Sequence, residues 1–311
     1  MQIQKRVRSS QAVPKKFKNF LNFEKMRPTL DSGIFSLPEV AHEKRPRRLA
    51  ANSLRVTVLG CGTSTGTPIV GCCCKTCTSK NPRNERLRAS VYVEVQGFKF
   101  LIDTSPDLRM QCLRNVIHHV DAVLYTHPHA DHLHGFDELR TLNFLMGQKI
   151  PAFANAWTIK EISDKFGYAF DADGQEGGGK PKVDVYEIKK PVLFKGIPVV
   201  PLPVLHGRMP CLGYRIGNFA YVTDCTKIPD KSLKLMKNLD LLILDCLRDS
   251  PHPTHLTVPQ ALAYARRIQA KQTVFTHMSH DLEYSAFRKS LPKSIVPAYD
   301  GMKLSIESGL D

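Results

Sequence analysis

The segment YTHPHADHLHG, residues 125–135, gathers four histidines and an aspartate directly after an apolar run. Imidazole nitrogens and carboxylate oxygens are the ligands that hydrolytic metal sites use. In an extended chain, His127 and His129 leave the same face and can bind one ion. Asp131 and His132 follow at the turn into a predicted helix and can reach a neighbouring point. We therefore expect two metal ions, because five such groups exceed the needs of one.

Three more residues of the same chemistry lie where predicted strands end. His206 follows VVPLPVL, Asp224 ends AYVTD, and His277 ends QTVFTH. Strand ends converge on one rim of a sheet, where ligands that are distant in the chain can meet. An isolated His206 could be an ordinary surface residue, but the cluster at 127–132 favours a metal site at this rim.

The elements that must position these residues begin at Leu54. From there, short β-branched runs typical of strands alternate with amphipathic stretches. One helix is predicted over GFDELRTLNFLMG, directly after the histidines, and another over TVPQALAYARRIQA, where Pro259 is tolerated in the first turn. Strands come first, and strands and helices then alternate. This order predicts two sheets flanked by helices in a single domain over residues 54–311.

A second cluster consists of cysteines. Cys72, Cys74 and Cys77 form a CxCxxC pattern, and His280 lies far downstream. Three thiolates and one imidazole make a closed tetrahedral zinc site, which is structural rather than catalytic. Cys73 should point away, because adjacent residues of an extended segment face opposite sides. Free thiols, or a disulfide between two of them, are the alternative.

The net charge of +15 is unevenly distributed. Residues 1–53 hold twelve of the 44 basic residues and four of the 29 acidic ones, without a clear hydrophobic period. We predict a flexible basic extension there. An organellar transit peptide is the alternative, although acidic residues do not fit that pattern. No apolar run approaches the roughly 20 residues that cross a bilayer, and the N-terminus lacks an apolar signal core, so we expect a cytoplasmic protein with no membrane partner.

These motifs carry a family resemblance. THPHADH, with LIDTSPD before it and the three strand-end residues after it, resembles the metallo-β-lactamase superfamily of dinuclear metallohydrolases from about Leu54 to Ile306. The resemblance implies an α/β fold, a four-layer αβ/βα sandwich with two divalent ions, Zn²⁺ or Mn²⁺, at one edge of the facing sheets. By this resemblance, one ion binds His127, His129 and His206, the other binds Asp131, His132 and His277, Asp224 bridges them, and Asp103 supports the ligands. Such a pair holds a hydroxide between its ions.

The cysteine pattern and HMSH narrow the resemblance. They are similar to the cyclic phosphodiesterases of the bacterial carbon–phosphorus lyase pathway, in which a histidine of HxSH completes a zinc site; the extra Cys73 departs from that pattern. The resemblance implies a metal-dependent phosphodiesterase of small phosphate esters, cyclic ones included. It makes His255 the general acid, since imidazole has a pKa near 6.5. Helix capping or substrate positioning is the alternative for His255, and Asp131 is the second candidate catalytic residue.

Other functions fit less well. A transfer-RNA 3′-end endonuclease of the ribonuclease Z type shares the core ligands and suits a basic protein, so nucleic acid is the second choice of partner. The glycine-rich loop at 171–182 is too short for the protruding arm of that family. A non-catalytic binding module is disfavoured by the complete ligand set, and the sequence around His206 differs from that of glyoxalase-type thiolesterases. GCGTSTGTP lacks the lysine of a nucleotide P-loop. A homodimer is an open alternative to a monomer.

Overall fold

The computed structural model describes residues 52–171 and 179–310 of the chain. The predicted basic extension over residues 1–53 falls almost wholly outside the described residues, and most of the glycine-rich loop does so as well. Ser53 already begins the first strand, close to the boundary expected from the sequence.

Fourteen strands and seven α-helices make up the described part of the chain. The strands are β1 Ser53–Gly60, β2 Ser90–Val95, β3 Phe98–Ile102, β4 Ala122–Leu124, β5 Ile150–Ala154, β6 Val183–Glu187, β7 Val192–Phe194, β8 Ile197–His206, β9 Met209–Ile216, β10 Phe219–Val222, β11 Leu241–Asp245, β12 Gln272–Thr276, β13 Ile295–Pro297 and β14 Lys303–Glu307. The helices are α1 Leu108–Asn115, α2 Ala130–Leu133, α3 Leu139–Met146, α4 Ala156–Lys165, α5 Asp230–Leu235, α6 Val258–Ile268 and α7 Tyr284–Ser290.

The strands form two seven-stranded mixed sheets. The first has the order β14-β1-β2-β3-β4-β5-β6, and the second has the order β13-β12-β11-β10-β9-β8-β7. Each sheet has three antiparallel and three parallel pairings: the antiparallel ones join β14, β1, β2 and β3 in the first sheet and β10, β9, β8 and β7 in the second. Parallel neighbours bring their carboxyl ends to the same edge of a sheet, so β3 and β4 of one sheet and β10, β11 and β12 of the other can each present residues at such an edge.

Alternation along the strands separates two hydrophobic cores. In β3, Phe100 and Ile102 belong to the core shared with the second sheet, whereas Leu101 between them joins a core with Leu108 of α1 and Leu139 of α3. This is the period of two that a strand buried on both faces requires. Ala261 of α6 and Phe287 of α7 pack with residues of the second sheet. The two sheets flanked by helices predicted from the sequence, and the four-layer αβ/βα sandwich implied by the resemblance, are confirmed.

The two predicted helices are also confirmed. The helix after the histidines begins as a 3-10 turn at Phe136 and continues as α3. The helix that contains Pro259 is α6, and it opens with a capping box in which the Thr257 side chain accepts from the Gln260 backbone N–H while the Gln260 side chain accepts from the Thr257 N–H. Pro259 lies in the first turn, where its missing N–H leaves no helical hydrogen bond unmade.

Candidate metal centre

The seven residues predicted as metal ligands lie together at one edge of the two sheets. They form two groups with closely spaced ligand atoms: His127, His129, His206 and Asp224 in one, and Asp131, His132, Asp224 and His277 in the other. Asp224 belongs to both groups. The ligand atoms of each group lie within 4.8 Å of one another. These groups contain the residues that the family resemblance assigns to each ion, and Asp224 and His277 also form a third such group with Asp245 and His255.

The Asp224 carboxylate lies at the centre of the cluster. Its Oδ1 is 3.2 Å from His132 Nε2 and 3.3 Å from His277 Nε2. Its Oδ2 is 3.6 Å from His127 Nε2 and 4.0 Å from His206 Nε2. Thus one oxygen faces each group of histidines, which is the arrangement that a carboxylate shared by two cations requires.

Asp131 adds a second carboxylate on the side of His132 and His277. Its Oδ2 lies 3.3 Å from His132 Nε2 and 3.4 Å from His277 Nε2. Burial alone would raise the pKa of Asp131, but His132 and the hydrogen bond with His277 lower the pKa well below its usual range. Asp131 is therefore held as a carboxylate, the form that binds a cation.

Residues outside the ligand groups fix the orientation of the histidines. His132 Nδ1 lies 2.8 Å from Asp103 Oδ2, and Asp103 Oδ1 accepts the Thr126 backbone N–H at 2.8 Å. His206 Nδ1 lies 2.6 Å from the carbonyl oxygen of Thr254. A partner on Nδ1 leaves Nε2 free to face the centre of the cluster. The expected supporting position of Asp103 agrees with this contact.

The imidazole nitrogens that face the inside of the cluster indicate whether a divalent cation fits there. Among the described residues, none forms a hydrogen bond with Nε2 of His127 or of His132, although both nitrogens are buried. Buried polar atoms without hydrogen bonds are costly unless something else binds them. Burial also lowers the pKa of His127 well below its usual value, and the neutral imidazole is the form that binds a metal. The donor set fits a divalent cation.

The backbone at these strand ends adopts conformations that are rare for side-chain-bearing residues. Asp103, Asp224 and His277 have φ angles of 64°, 48° and 59°. Such left-handed conformations cost of order 1–3 kcal/mol each and persist where the surrounding structure imposes them. β4 ends at Leu124, so His127 and His129 lie in the following loop rather than on the strand itself.

His255 lies beside the cluster, 8% exposed, on the loop that leads into α6. Its Nε2 is 3.9 Å from Asp224 Oδ2, and its Nδ1 is 3.3 Å from Asp245 Oδ1. Burial would lower its pKa, but Asp224 and the hydrogen bond with Asp245 outweigh burial and raise the pKa to about 9. The imidazole therefore holds a proton beside the cluster, within reach of a group bound there.

Sequence reasoning did not identify Asp245, which ends β11. It is fully buried, and its Oδ2 accepts the Leu256 backbone N–H at 2.7 Å while its Oδ1 faces His255 and lies 3.8 Å from His277 Nδ1. The signal was present in LLILD, where a carboxylate ends an apolar strand just as Asp224 does. Three further histidines lie outside the metal groups: His118 and His134 are exposed, and His119 pairs with Asp121 at 3.3 Å.

The predicted thiolate cluster also comes together. The Sγ atoms of Cys72, Cys74 and Cys77 lie 3.3, 3.4 and 3.5 Å from His280 Nδ1. The Cys77 backbone N–H is the main group that lowers the pKa of Cys74, to about 6. Cys73 is exposed and lies outside the group, as expected for a neighbour on the opposite side. All nine cysteines are among the described residues, and none of them forms a disulfide.

A buried arginine, also missed from the sequence, holds the segment that carries His280. Arg86 is 2% exposed, and its guanidinium donates to the carbonyl oxygens of Ser279, at 2.7 Å, and Leu282. The glycine-rich turn before the cysteines packs beside the same segment, since the Met278 N–H donates to the Cys61 carbonyl oxygen at 2.9 Å. The glycines there permit close approach of this turn to other backbone: a Cβ at position 60 would lie 2.1 Å from the Arg88 carbonyl oxygen.

Within residues 52–171 and 179–310, no helix is long and apolar enough to span a membrane.

Comparisons with known proteins agree with this architecture. A family model for the β-lactamase superfamily domain matches residues 99–278, more than half of the chain. The crystal structure of a diphosphatase from the PhnP family is 41% identical in sequence, with a TM-score of 0.77, and the match covers 82% of this chain and 98% of that one.

Two curated proteins match over shorter shares of their own length. An octanoyltransferase of Porphyromonas gingivalis is 36% identical over 259 residues, which is 82% of this chain and 52% of that protein. A ribonuclease Z of Methanopyrus kandleri is 34% identical over 89 residues, which is 27% of this chain and 32% of that enzyme. The chain thus spans about half of the first protein and a third of the second. Given the family match and the diphosphatase relative, the chain belongs to the metallo-β-lactamase superfamily of hydrolases.

Proposed function

We propose that this hydrolase is a metal-dependent phosphodiesterase acting on small phosphate esters, cyclic ones included. The observation that carries the proposal is the shared Asp224 carboxylate, which faces two histidine groups at 3.2–4.0 Å. The similarity to a PhnP-family diphosphatase over almost all of that chain supports phosphoester or phosphoanhydride chemistry. The thiolate cluster supports the same subfamily.

In this proposal, two divalent ions occupy the buried cluster. His127, His129 and His206 would hold one, Asp131, His132 and His277 would hold the other, and Asp224 would serve both. When bound, the ions supply a hydroxide nucleophile at neutral pH and stabilise the charge that develops on the phosphoryl oxygens. Zn²⁺ and Mn²⁺ both suit imidazole and carboxylate ligands. A third ion, zinc, is proposed for the half-buried thiolate cluster, in a structural role.

The other residues of the site would transfer protons or orient the side chains that do so. The His255 imidazole lies at the edge of the cluster with a proton available, so we assign it the role of general acid for the leaving oxygen. Asp245 holds His255 Nδ1 and thereby aims Nε2 at the cluster, 3.9 Å from Asp224. Asp131, held as a carboxylate, supports the metal pair and completes the proposed catalytic set.

Leaving-group dependence tests this assignment. A p-nitrophenolate leaves without help, whereas an alkoxide needs a proton, so His255→Ala should reduce hydrolysis of methyl p-nitrophenyl phosphate or bis-p-nitrophenyl phosphate only modestly. The same change should reduce opening of a 2′,3′-cyclic nucleotide by roughly 100-fold or more, the usual contribution of a general acid. His118→Ala, a remote exposed histidine, is the matched control. Equal losses on both substrates would assign His255 a role in binding or folding.

Cleavage of transfer-RNA precursors is the second candidate. It is favoured by the 34% identity to ribonuclease Z, but that match covers only 27% of this chain. A panel of bis-p-nitrophenyl phosphate, a 2′,3′-cyclic nucleotide and a transfer-RNA precursor, each with added Mn²⁺ or Zn²⁺, separates the two. We expect turnover of the small esters, and cleavage of the RNA alone would reverse the ranking.

The octanoyltransferase similarity does not favour acyl transfer for this chain. About half of that protein lies outside the match. Acyl transfer through a cysteine needs an accessible thiolate. Cys225, adjacent to Asp224, is fully buried, and burial raises its pKa well above the usual value. The candidate site thus offers hydrolytic chemistry rather than a thiol nucleophile.

A further inference from the structure

Arg86 is a buried cation whose hydrogen bonds go to neutral groups. Its Nη1 donates to the Ser279 carbonyl oxygen at 2.7 Å, and its Nη2 donates to the Leu282 carbonyl oxygen and, at 3.3 Å, to Asn84 Oδ1. Among the described residues, no carboxylate forms an ion pair with this guanidinium. Burying a charge without a charged partner is costly, so Arg86 is not explained as a stabilising ion pair.

The carbonyl groups that the Arg86 side chain contacts lie on either side of His280. Ser279 precedes His280 directly, and Leu282 follows it by two positions, so we call residues 279–282 the histidine segment. An arginine presents its donors in a rigid planar fork. One guanidinium that donates to both carbonyl groups therefore fixes the backbone from which the His280 imidazole extends. Nδ1 of that imidazole lies 3.3–3.5 Å from the three sulfur atoms of the thiolate cluster.

The backbone of Arg86 is bound to the segment that carries the cysteines, residues 67–77, which we call the cysteine segment. The Arg86 N–H donates to the Thr67 carbonyl oxygen at 2.8 Å, and the Thr67 N–H donates back to the Arg86 carbonyl oxygen at 2.9 Å. Two residues later, the Ile69 carbonyl oxygen accepts the Cys72 N–H at 3.0 Å, and the Ile69 N–H donates to Cys77 Sγ at 3.4 Å. Arg86 thus contacts the cysteine segment through its backbone and the histidine segment through its side chain.

The two segments are distant in the chain, since 208 positions separate Cys72 from His280. A group that orients metal ligands without binding the metal typically contributes 10–100-fold to metal affinity. We propose that Arg86 is a positioning residue of the thiolate cluster, which holds His280 beside the three cysteines and thereby assembles the site for a thiophilic cation such as Zn²⁺. This inference rests on the zinc ion proposed for the thiolate cluster and is independent of the reaction proposed for the His/Asp cluster.

Cobalt binding to the full-length protein tests this role. Co²⁺ bound by thiolates gives a sulfur-to-metal charge-transfer absorption, and the His/Asp cluster contains no cysteine, so this absorption reports on the thiolate cluster. Arg86→Met should raise the Kd for Co²⁺, measured by this absorption, by roughly 10–100-fold. Arg86→Lys keeps the charge but loses the planar fork, so it should raise the Kd by a smaller factor, about ten-fold.

Arg215→Met is the matched control. Arg215 Nε donates to the Gly217 carbonyl oxygen at 2.8 Å, and its Nη1 donates to the Lys237 carbonyl oxygen at 3.0 Å. This substitution therefore also removes a guanidinium that is bound to carbonyl groups. The hydrogen-bond partners of that guanidinium within the described chain belong to neither segment of the thiolate cluster. Both Met variants should have lower melting temperatures, but only Arg86→Met should bind Co²⁺ more weakly.

A wild-type Kd in Arg86→Met would overturn the positioning role. Equal increases in Arg86→Met and Arg215→Met would also overturn it, because they would indicate a general loss of stability. If Arg86→Met does not fold, Arg86→Lys decides, since a wild-type Kd in that variant would show that the fork is not needed.

The wild-type protein separates this inference from the proposed reaction. A cobalt complex without the charge-transfer absorption would reject both the metal at the thiolate cluster and the role of Arg86. Hydrolysis of small diesters by the same protein tests the reaction at the His/Asp cluster, so failure of one proposal can be distinguished from failure of the other.

Discussion

The two clusters of this protein differ in how the chain builds them. The His/Asp cluster draws on strand-end segments of both sheets, spread over residues 127–277, and all but one of its residues are buried. The thiolate cluster takes three of its four residues from one turn, Cys72–Cys77, and all four are half-buried. One therefore depends on the whole sandwich, whereas the other closes a local loop onto the segment at His280.

The difference indicates whether each cluster contributes mainly to activity or mainly to stability. Buried histidines and carboxylates are costly to place in a fold, and Nε2 of His127 and of His132 forms no hydrogen bond with the described residues. Because such a site does not stabilise the fold, we expect it to serve catalysis. Its loss should therefore reduce activity more than stability. A thiolate site has no open position for a substrate, and metal bound there contributes directly to the free energy of folding. Its loss should reduce stability more than activity.

The largest expected effect comes from removing the shared carboxylate. Asp224→Ala should release at least one of the two ions and lower kcat/KM by roughly a thousand-fold, because several kcal/mol of charge stabilisation depends on the pair. Elemental analysis and diesterase assays check this together. Asp230→Ala, which removes a highly exposed aspartate, is the control. Unchanged metal content in the Asp224 variant would contradict its bridging position.

The second largest effect is expected from a substitution in the thiolate cluster. Cys74→Ser should weaken zinc binding and lower the free energy of unfolding by about 3 kcal/mol, a fall of roughly 10 °C in melting temperature for a domain of this size. The folded fraction should keep its catalytic ions and its turnover. The exposed neighbour provides the control, since Cys73→Ser should change neither quantity. An equal melting temperature for the two variants would exclude a stabilising metal.

The third effect concerns Asp245, which contacts the site without belonging to either proposed ligand set. Asp245→Asn keeps the shape of the side chain but loses the charge that orients His255. We expect a 10–100-fold loss of kcat/KM, the usual effect of changing a residue that orients a site group. Asp240→Asn, at a buried aspartate that lies 2.7 Å from Lys271 Nζ and outside the metal groups, is the comparison. Full activity of the Asp245 variant would remove its positioning role.

The smallest effect is expected from the basic N-terminal segment. It contributes none of the proposed ligands, so a chain starting near Ala50 should hydrolyse a small diester at close to the full-length rate. The measurement is kcat/KM on bis-p-nitrophenyl phosphate, with circular dichroism as a check on folding. A folded but inactive truncated chain would show that residues 1–49 reach the site.

Much of this organisation was predictable because the signals are local. The histidine run and the CxCxxC spacing are contiguous, and each β-branched run that ends in His or Asp marks a strand end. Asp245 and Arg86 were missed for a physical reason. Asp245 can be assigned to the site only once β11 is known to lie between β10 and β12. The role of Arg86 can be recognised only once its carbonyl acceptors, at the distant residues Ser279 and Leu282, are known.

The most direct test of two separate clusters compares two histidines three residues apart. His277 lies in the buried cluster and His280 in the thiolate cluster. Bound metal should be counted by elemental analysis for His277→Ala and His280→Ala, alongside melting temperature and diesterase rate. We predict that His277→Ala loses a catalytic ion and its activity with a small change in melting temperature, whereas His280→Ala loses zinc and stability but retains turnover. Two variants that both lose activity and catalytic metal, with unchanged melting temperatures, would contradict a separate thiolate site.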